Sequence, residues 1–296
     1  MNDVRFADAG TVSFDRRGTV AVEKRRRGVV GLVLRRLGLA IVLAFFVLPI
    51  VYLVSVSLTP QAEILSGTIL PNDLAWHNWP AAYEATTVSL FVRNSAIVAS
   101  LSALVTLLIA VPATYSMVRF GVGGRPLYSF ILSSYVAPPI VALLPLFYLL
   151  RRLHGIDSLW GLALVHAVAN VPVAVWLLDS FFRQVPRDIE EAAWVDGAGV
   201  VGALVRMVVP LIAPGIVAAG IICLILSYNE FLFAVVLTYR PETQTLPVGI
   251  SLFQGDRLVN YGQMAAASLT GMAPVYLVAL FFQRWLIRGL THGAVK

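Results

Sequence analysis

Six long runs of residues contain no Asp, Glu, Lys or Arg and are dominated by apolar side chains. Each run exceeds the roughly 20 helical residues that cross a hydrocarbon core of about 30 Å. Backbone amides in lipid must be paired within the segment, and the runs lack the apolar alternation of barrel strands, so we expect helices. The six predicted spans are residues 37–58, 94–118, 126–150, 158–178, 207–229 and 258–283. The pattern therefore predicts an all-α membrane protein with six transmembrane helices.

The segments outside these runs give the predicted domain organisation. Residues 1–36 form a basic N-terminal segment, residues 37–283 form the transmembrane domain with a long polar connection at 179–206, and residues 284–296 form a polar tail. Basic residues before an apolar run are also typical of a signal peptide. The first run is longer than the roughly 7–15 residues of a signal-peptide core, so we expect a retained first helix.

Every predicted span contains proline. An interior proline removes a backbone donor and kinks a helix, and membrane bundles tolerate such kinks. Because proline is commoner in membrane helices than in soluble ones, the kinks favour a transporter only modestly. The prolines concerned are Pro49, Pro112, Pro138, Pro139, Pro145, Pro172, Pro214 and Pro274.

The composition supports the membrane prediction. Hydrophobic residues make up 58% of the chain and charged residues 13%. A soluble domain has a surface that is roughly a quarter to a third charged, and a disordered chain has low hydrophobicity, so both classes are excluded. Cys223 is the only cysteine, which excludes an intrachain disulfide.

The basic residues concentrate in alternate connections. Cytoplasmic segments near membrane spans carry an excess of Lys and Arg. With residues 1–36 inside, the inner segments hold 17 of the 22 basic residues. The sequence therefore predicts a multi-pass protein of the cell membrane with both termini cytoplasmic. Because this topology accounts for the net charge of +6, we expect no nucleic-acid partner.

The connection at 179–206 contains the signals of a short helix. Pro186 suits a helix start, and the acidic residues that follow it complement the helix dipole. Ile189, Ala192 and Ala193 fall at i, i+3 and i+4 and form a small apolar face, and Gly197 can end the helix. Three small hydrophobes cannot anchor a helix in lipid. The face is therefore predicted to dock on another protein.

Several stretches of this sequence resemble the permease subunits of binding-protein-dependent ABC importers. Glu191-Ala192-Ala193 with Gly197 and Met207-Val208-Val209-Pro210 resembles the cytoplasmic EAA loop of that family, and Asp196-Gly197-Ala198 extends the likeness. Further stretches are similar to the smaller, maltose-type carbohydrate permeases. They are Arg93-Asn94-Ser95, Tyr228-Asn229-Glu230-Phe231 and the tail from Gly289 to Lys296.

The resemblance implies a fold, partners and site residues. It implies the type I ABC importer permease fold, in which this chain forms half of a translocation path beside a second permease subunit. It also implies an ATPase dimer that binds ATP and Mg, and an extracytoplasmic solute-binding protein. The ATPase-coupling residues would be Arg187, Glu190, Glu191, Ala192, Ala193, Asp196, Gly197, Ala198 and Pro210. A second ATPase contact in the tail would comprise Thr291, His292, Gly293 and Lys296.

The sequence contains no recognisable nucleotide-binding motif and no recognisable catalytic cluster. A phosphate-binding loop needs a lysine after a glycine-rich turn, and neither Lys24 nor Lys296 is so placed. The four histidines lie on four different segments without the spacing of a zinc site. We therefore expect a transport subunit without enzymatic activity, catalytic residues, metal or cofactor, with ATP and Mg bound by the partner ATPase.

Polar residues within the spans are candidates for the translocation path, because such residues are costly in lipid. They are Asn94, Asn170, Ser227, Tyr228 and Asn229, with Glu230 just beyond the end of the fifth span. For each, and for His166 beside Asn170, hydrogen bonding between helices is the alternative role. Amide and aromatic groups suit a carbohydrate or polyol, and a glycerol phosphate ester stays open. A stand-alone secondary transporter and a membrane enzyme are rival classes, although no ion relay, internal repeat or catalytic cluster supports them.

Overall fold

The computed structural model describes residues 12–14, 20–22, 29–85, 87–253 and 259–294, with side chains over 31–84, 87–253 and 259–285. Helices dominate these residues. The strands are β1 (Val12–Phe14) and β2 (Val20–Val22), and the first helices are α1 (Val29–Ser57), α2 (Gln61–Leu65), α3 (Asn78–Ala85), α4 (Val88–Phe120), α5 (Gly124–Val136), α6 (Pro139–Arg152) and α7 (Leu159–Gln184). The others are α8 (Arg187–Val195), α9 (Val200–Ala203), α10 (Val209–Leu211), α11 (Ala213–Tyr228), α12 (Leu232–Leu237), α13 (Leu246–Ser251) and α14 (Tyr261–Ala294), with a π-helical turn at Leu204–Val208.

The first of two compact units comprises residues 1–53. In this unit β1 and β2 form an antiparallel ladder, with Val12 opposite Val22 and Phe14 opposite Val20. The all-α prediction did not include this ladder. Its β-branched and aromatic residues favour extended backbone, which explains it. The unit also holds most of α1, which covers residues 37–57 of the first predicted span.

The second unit comprises residues 54–296 and contains the other spans. Within the described residues, α1, α4, α7 and α14 are each long and apolar enough to cross a membrane. They confirm four of the six predicted spans as continuous helices.

The other two predicted spans, 126–150 and 207–229, each consist of two helices joined at a bend, which is sharper than the kink that an interior proline predicts. The first is α5 followed by α6 at an angle of 97°, and the second is α9–α10 followed by α11 at 81°. Pro138 and Pro139 stand at the first break, where Ala137 is extended because a residue before proline avoids the helical region. Pro214 lies in the first turn after the second break and has no N–H to continue the ladder. With each bent pair counted as one span, the count is six.

The core lies where α4 packs against α7 and α11. The buried face of α4 consists largely of small residues at helical spacing, which lets the helix backbones approach closely. These residues include Asn94, Ser95, Ala99, Ser102, Ala103, Thr106, Ala110 and Thr114. The Thr106 hydroxyl donates to the backbone oxygens of Ser102 at 2.8 Å and of Ala167 at 3.1 Å, which joins α4 to α7.

The bundle has two ends. The last turn of α4, the last turn of α7 and α8 meet at one, which we call the α8 end. The first turns of α4 and α7 and the segment 238–246 meet at the other, which we call the opposite end. There the short helices α2 and α3, which the sequence did not predict, contact the start of α14.

Asp157 organises the opposite end. Its carboxylate accepts hydrogen bonds from the backbone N–H of Tyr239 at 3.0 Å, from Arg240 Nε at 2.5 Å and from the Thr243 hydroxyl. Burial alone would raise the pKa of Asp157, but these hydrogen bonds outweigh it and lower the pKa to about 2. The connection between α6 and α7 is thereby tied to the segment 238–246.

Candidate functional site at the α8 end

The helix predicted in the polar connection is α8, and both of its ends agree with the sequence signals. Pro186 precedes the first helical residue, and Asp188 and Glu190 lie in the first turn. Beyond the last turn, Gly197 has a φ of +86°. The Gly197 N–H donates to the Trp194 oxygen at 3.0 Å, and the Ala198 N–H donates to the Ala193 oxygen at 2.9 Å. This pair of bonds is a Schellman motif, which needs glycine for its left-handed residue.

A buried ion pair fixes α8 on the end of α4. Arg119 Nε lies 2.6 Å from Glu190 Oε1, with the two side chains 7% and 2% exposed. The Tyr115 hydroxyl donates to Glu190 Oε2 at 2.8 Å, and Arg119 Nη2 donates to the Val185 oxygen at 2.7 Å. The sequence placed Glu190 among the ATPase-coupling residues. Its carboxylate faces α4 instead, because Arg119 and Tyr115 provide its partners there.

Aromatic rings add to this attachment. The Tyr115 ring contacts Phe182 of α7 at 5.9 Å and Phe120 at 5.7 Å between centroids. Phe120 in turn stacks on Trp194 of α8 at 6.3 Å. Aromatic pairs in such geometries contribute about 0.5–1.5 kcal/mol each beyond the area they bury. The last turns of α4 and α7 are therefore joined to Trp194 of α8 by one aromatic row.

The predicted apolar docking face of α8 needs correction. Ala193 is buried, and Ile189 packs against the core cluster of the chain itself, so only Ala192 of that face is exposed. Ile189 and Ala193 point inward because they flank Glu190, which is bound to α4. The exposed side instead presents Glu191, Ala192 and Val195, of which Val195 is 88% exposed.

The remaining candidate coupling residues are distributed around this helix. Arg187, Asp196, Gly197 and Pro210 are exposed, and Ala198 is partly buried. Thr291, His292 and Gly293 lie in the last turn of α14, but their side chains, and Lys296 as a whole, fall outside the described residues.

Arg119 and Tyr115 were missed by the sequence reasoning. Both hold Glu190 in place, although neither lies in the connection that carries the motif. The available signal was weak. Arg119 follows an uncharged run of 25 residues, and a basic residue in the last helical turn also satisfies the helix dipole.

Most of the candidate path residues are engaged within the chain. Asn94 donates to the backbone oxygens of Glu242 and Gln244, both at 2.9 Å. Asn170 donates to the Cys223 oxygen at 3.3 Å. These bonds between helices and loops are the structural role that the sequence offered as the alternative.

His166 connects two more of the candidates. Its Nδ1 lies 2.7 Å from the Ser227 hydroxyl and its Nε2 lies 3.0 Å from Glu230 Oε2. Glu230 also accepts from the backbone N–H groups of Phe233 and Ala234 at the start of α12. Of the six candidates only Tyr228 and Asn229 line a cavity between α11, α13 and α14, as far as the described residues extend.

The chain is similar to known transport proteins. Residues 102–292 match the family described as "Binding-protein-dependent transport system inner membrane component". The chain is 36% identical over 266 residues to the Sulfoquinovosyl glycerol transport system permease protein SmoH of Agrobacterium fabrum, covering 89% of this chain and 93% of that protein. It is 32% identical over 262 residues to the Trehalose/maltose transport system permease protein MalG of Thermococcus litoralis, covering 87% and 94%. It is 31% identical over 259 residues to the Trehalose transport system permease protein SugB of Mycobacterium tuberculosis, covering 86% and 94%.

Two solved structures share the fold. A chain of a bacterial ABC transporter involved in the import of the acidic polysaccharide alginate matches with a TM-score of 0.71 at 21% identity, over 90% of this chain and 99% of that chain. A chain of the inward-facing MetNI methionine ABC transporter matches with a TM-score of 0.53 at 17% identity, over 67% and 94%. The architecture is therefore that of an ABC importer permease.

Proposed function

The chain belongs to the family of binding-protein-dependent transport system inner membrane components and is a permease subunit of an ABC importer, and we propose that its cargo is a carbohydrate or polyol and that it couples to its ATPase through α8. In this assembly the chain forms half of the translocation path beside a second, different permease subunit. A solute-binding protein delivers the cargo on the outer side, and an ATPase dimer binds ATP and Mg on the inner side.

The observation that carries the coupling role is the attachment of α8 to the bundle. A force applied to α8 passes to α4 through the buried Arg119–Glu190 pair and to α7 through the aromatic row. Interiors with this kind of packing are stiff and transmit displacement. An ATPase bound to Glu191, Ala192 and Val195 would therefore move α4 and α7 together with α8.

The charge distribution supports placing the α8 end in the cytoplasm. The segments at this end, with residues 1–36 and the tail, hold 17 of the 22 basic residues. Such an excess is typical of cytoplasmic segments. Both termini are then cytoplasmic, and residues 291–293 with Lys296 offer the ATPase a second contact.

In the proposed cycle, ATP closes the ATPase dimer and shifts the permease pair from inward-open to outward-open. ATP drives this shift because it binds the closed dimer more tightly than the open one. Hydrolysis returns the pair to the inward-open state and releases the cargo. The bent spans α5–α6 and α9–α11 are suited to such a change, because few backbone hydrogen bonds cross a helix break.

The names of the relatives support a sugar as cargo. Trehalose, maltose and a sulfoquinovosyl glycerol appear among them. None of these names a glycerol phosphate ester, the alternative that the sequence left open. A carbohydrate or polyol is therefore the proposed cargo.

A charge reversal on α8 tests the coupling role. Glu191→Lys places a positive charge at the proposed ATPase contact, and like-charge or unpaired contacts in an interface weaken binding by about tenfold or more. We expect the variant chain to retain much less ATPase on co-purification in detergent. Glu242→Lys makes the same change at an exposed residue of the opposite end and is expected to retain the wild-type amount. Equal retention in both variants would refute the α8 contact.

A further inference from the structure

A cavity of about 380 Å³ lies between α11, α13 and α14. Small-molecule sites usually measure about 300–1,000 Å³ and combine an apolar wall with a few polar groups. This cavity has that character, and none of the described residues that line it is charged. Its lining residues are Tyr228, Asn229, Leu246, Pro247, Ile250, Ser268, Gly271, Met272, Val275 and Tyr276.

The cavity extends inward along α14 from the opposite end of the bundle. The backbone N–H of its lining residue Leu246 donates to Ser95 Oγ at 2.8 Å, near the start of α4. Ser268 and Tyr276 mark its extent along α14, which begins at Tyr261. With a rise of 1.5 Å per residue, the two positions lie about 10 Å and about 23 Å along the helix.

Two polar side chains in the lining have unused hydrogen-bonding capacity. Asn229 donates to the Ile225 oxygen at 2.8 Å, but its own carbonyl oxygen accepts from no residue among those described. The Tyr276 hydroxyl makes no hydrogen bond within the same residues, and the side chain is 45% exposed. Asn94, Asn170 and Ser227, by contrast, are buried and engaged within the chain.

The wall behind these groups is already formed. The Tyr228 hydroxyl donates to the Gly271 oxygen at 2.9 Å, which joins α11 to α14. Gly271 leaves room for α13, because a Cβ at this position would lie 2.0 Å from Leu246 Cδ2. Contacts within the chain therefore hold this wall of the cavity in place.

We propose that this cavity is the point at which the present subunit contacts a neutral sugar during transport. A sugar has apolar C–H faces and a rim of hydroxyls. The Tyr276 ring supplies a flat surface for such a face, and Asn229 Oδ1 and the Tyr276 hydroxyl supply polar partners for the rim. The absence of charge from the lining favours a neutral cargo. The inference rests on the proposed function and extends it by assigning cargo contacts to this chain.

The test uses the complete importer in vesicles, with its second permease, ATPase and binding protein. The probes are ¹⁴C-labelled trehalose, maltose and melibiose, and the measurement is the number of sugar molecules accumulated per ATP hydrolysed. Asn229→Ala and Tyr276→Ala are expected to lower this ratio by about fivefold, the effect of one lost hydrogen bond. Asn229→Gln keeps the amide and is expected to restore part of it. Tyr148→Ala removes another exposed tyrosine, from α6 and away from the cavity, and is expected to leave the ratio unchanged.

The outcomes distinguish this inference from the proposed function. If the wild-type importer accumulates a probe with ATP but both cavity variants keep its ratio, the contact site is refuted and the function stands. If the wild-type importer accumulates none of the probes, the proposed cargo is wrong and the site falls with it. Loss of the second permease from the Tyr276→Ala complex would identify the cavity as a subunit interface and would also refute the site. If Asn229→Ala does not assemble, Tyr276→Ala alone decides.

Discussion

Glu190 carries a buried carboxylate whose two oxygens meet a guanidinium and a phenol of α4. Burying a charge is costly unless it is paired and hydrogen-bonded, and here Arg119 pairs with the carboxylate while the Tyr115 hydroxyl donates to its other oxygen. The pair need not add net stability over an apolar contact of the same shape. It does specify where α8 sits, because only one position of the helix brings the carboxylate to Arg119.

Removing one member of this pair is therefore expected to be far more damaging than removing both. Glu190→Gln leaves the Arg119 charge buried without a counter-charge, at a cost of about 3–5 kcal/mol. The double variant Arg119→Met with Glu190→Leu leaves the Tyr115 hydroxyl without its acceptor and the Val185 oxygen without its donor, but it buries no unpaired charge and is expected to recover part of the loss. The measurement is the midpoint of thermal unfolding of the purified chain in detergent. If Glu190→Gln unfolds at the same midpoint temperature as the wild-type chain, the charged form of the carboxylate is not needed for stability.

At this scale the sequence identified residues better than it identified their partners. Asn94 and Asn170 stood out because polar side chains are rare within apolar runs, but nothing local shows that Asn94 binds the carbonyls of a loop far along the chain. Glu190 stood out through its motif. Its burial depends on Arg119, which belongs to another helix, and a single sequence contains no information on such a pair.

At the scale of elements, α8 is the best predicted helix of the functional region. Its start and end are set by residues within or next to it, Pro186 before the first turn and Gly197 after the last. Such signals are local, so the sequence contains them. The direction of its faces is not local, which explains why Ile189 and Ala193 point inward against expectation.

Gly197 provides a test of how the end of α8 affects transport. A β-branched residue at its φ of +86° is strained, and left-handed backbone costs L-residues about 1–2 kcal/mol. No atom lies within 4 Å of a Cβ at this position, so the effect comes from the backbone alone. Gly197→Val is expected to lower ATP-driven uptake severalfold while the chain still inserts into the membrane.

Asn tolerates left-handed backbone better than valine does, so Gly197→Asn is the matched control. It is expected to retain most of the uptake at an equal amount of inserted protein. Equal uptake by the two variants would mean that the conformation of residue 197 does not affect coupling.

The bent spans show what the hydrophobic pattern cannot predict about a helix, namely how sharply it bends. Uncharged runs locate spans because the cost of charge in lipid is large. Prolines indicated kinks at 138–139 and 214, but the bends of 97° and 81° depend on how the flanking helices pack. An isolated run contains no record of that packing, so the sequence predicted kinks but not the size of the bends.

On the scale of the whole molecule, the chain is the membrane-spanning subunit of an importer and depends on a partner ATPase for energy. Its family, its relatives and its fold agree on an importer permease. The sequence predicted the same family because the EAA motif, the six uncharged apolar runs and the charge asymmetry can each be identified from the sequence alone. The cavity beside α14 could not be predicted, since its walls come from three helices separated in sequence.

Uptake by reconstituted vesicles tests the central claim most directly. Vesicles containing this chain with its second permease, the ATPase and the binding protein are expected to accumulate ¹⁴C-labelled sugar against a gradient when ATP is supplied on the α8 side. Vesicles that contain this chain alone are expected to accumulate none under any ion gradient or in the presence of ATP. Accumulation against a gradient by the chain alone would contradict the account, because transport would then not require an ATPase bound to α8.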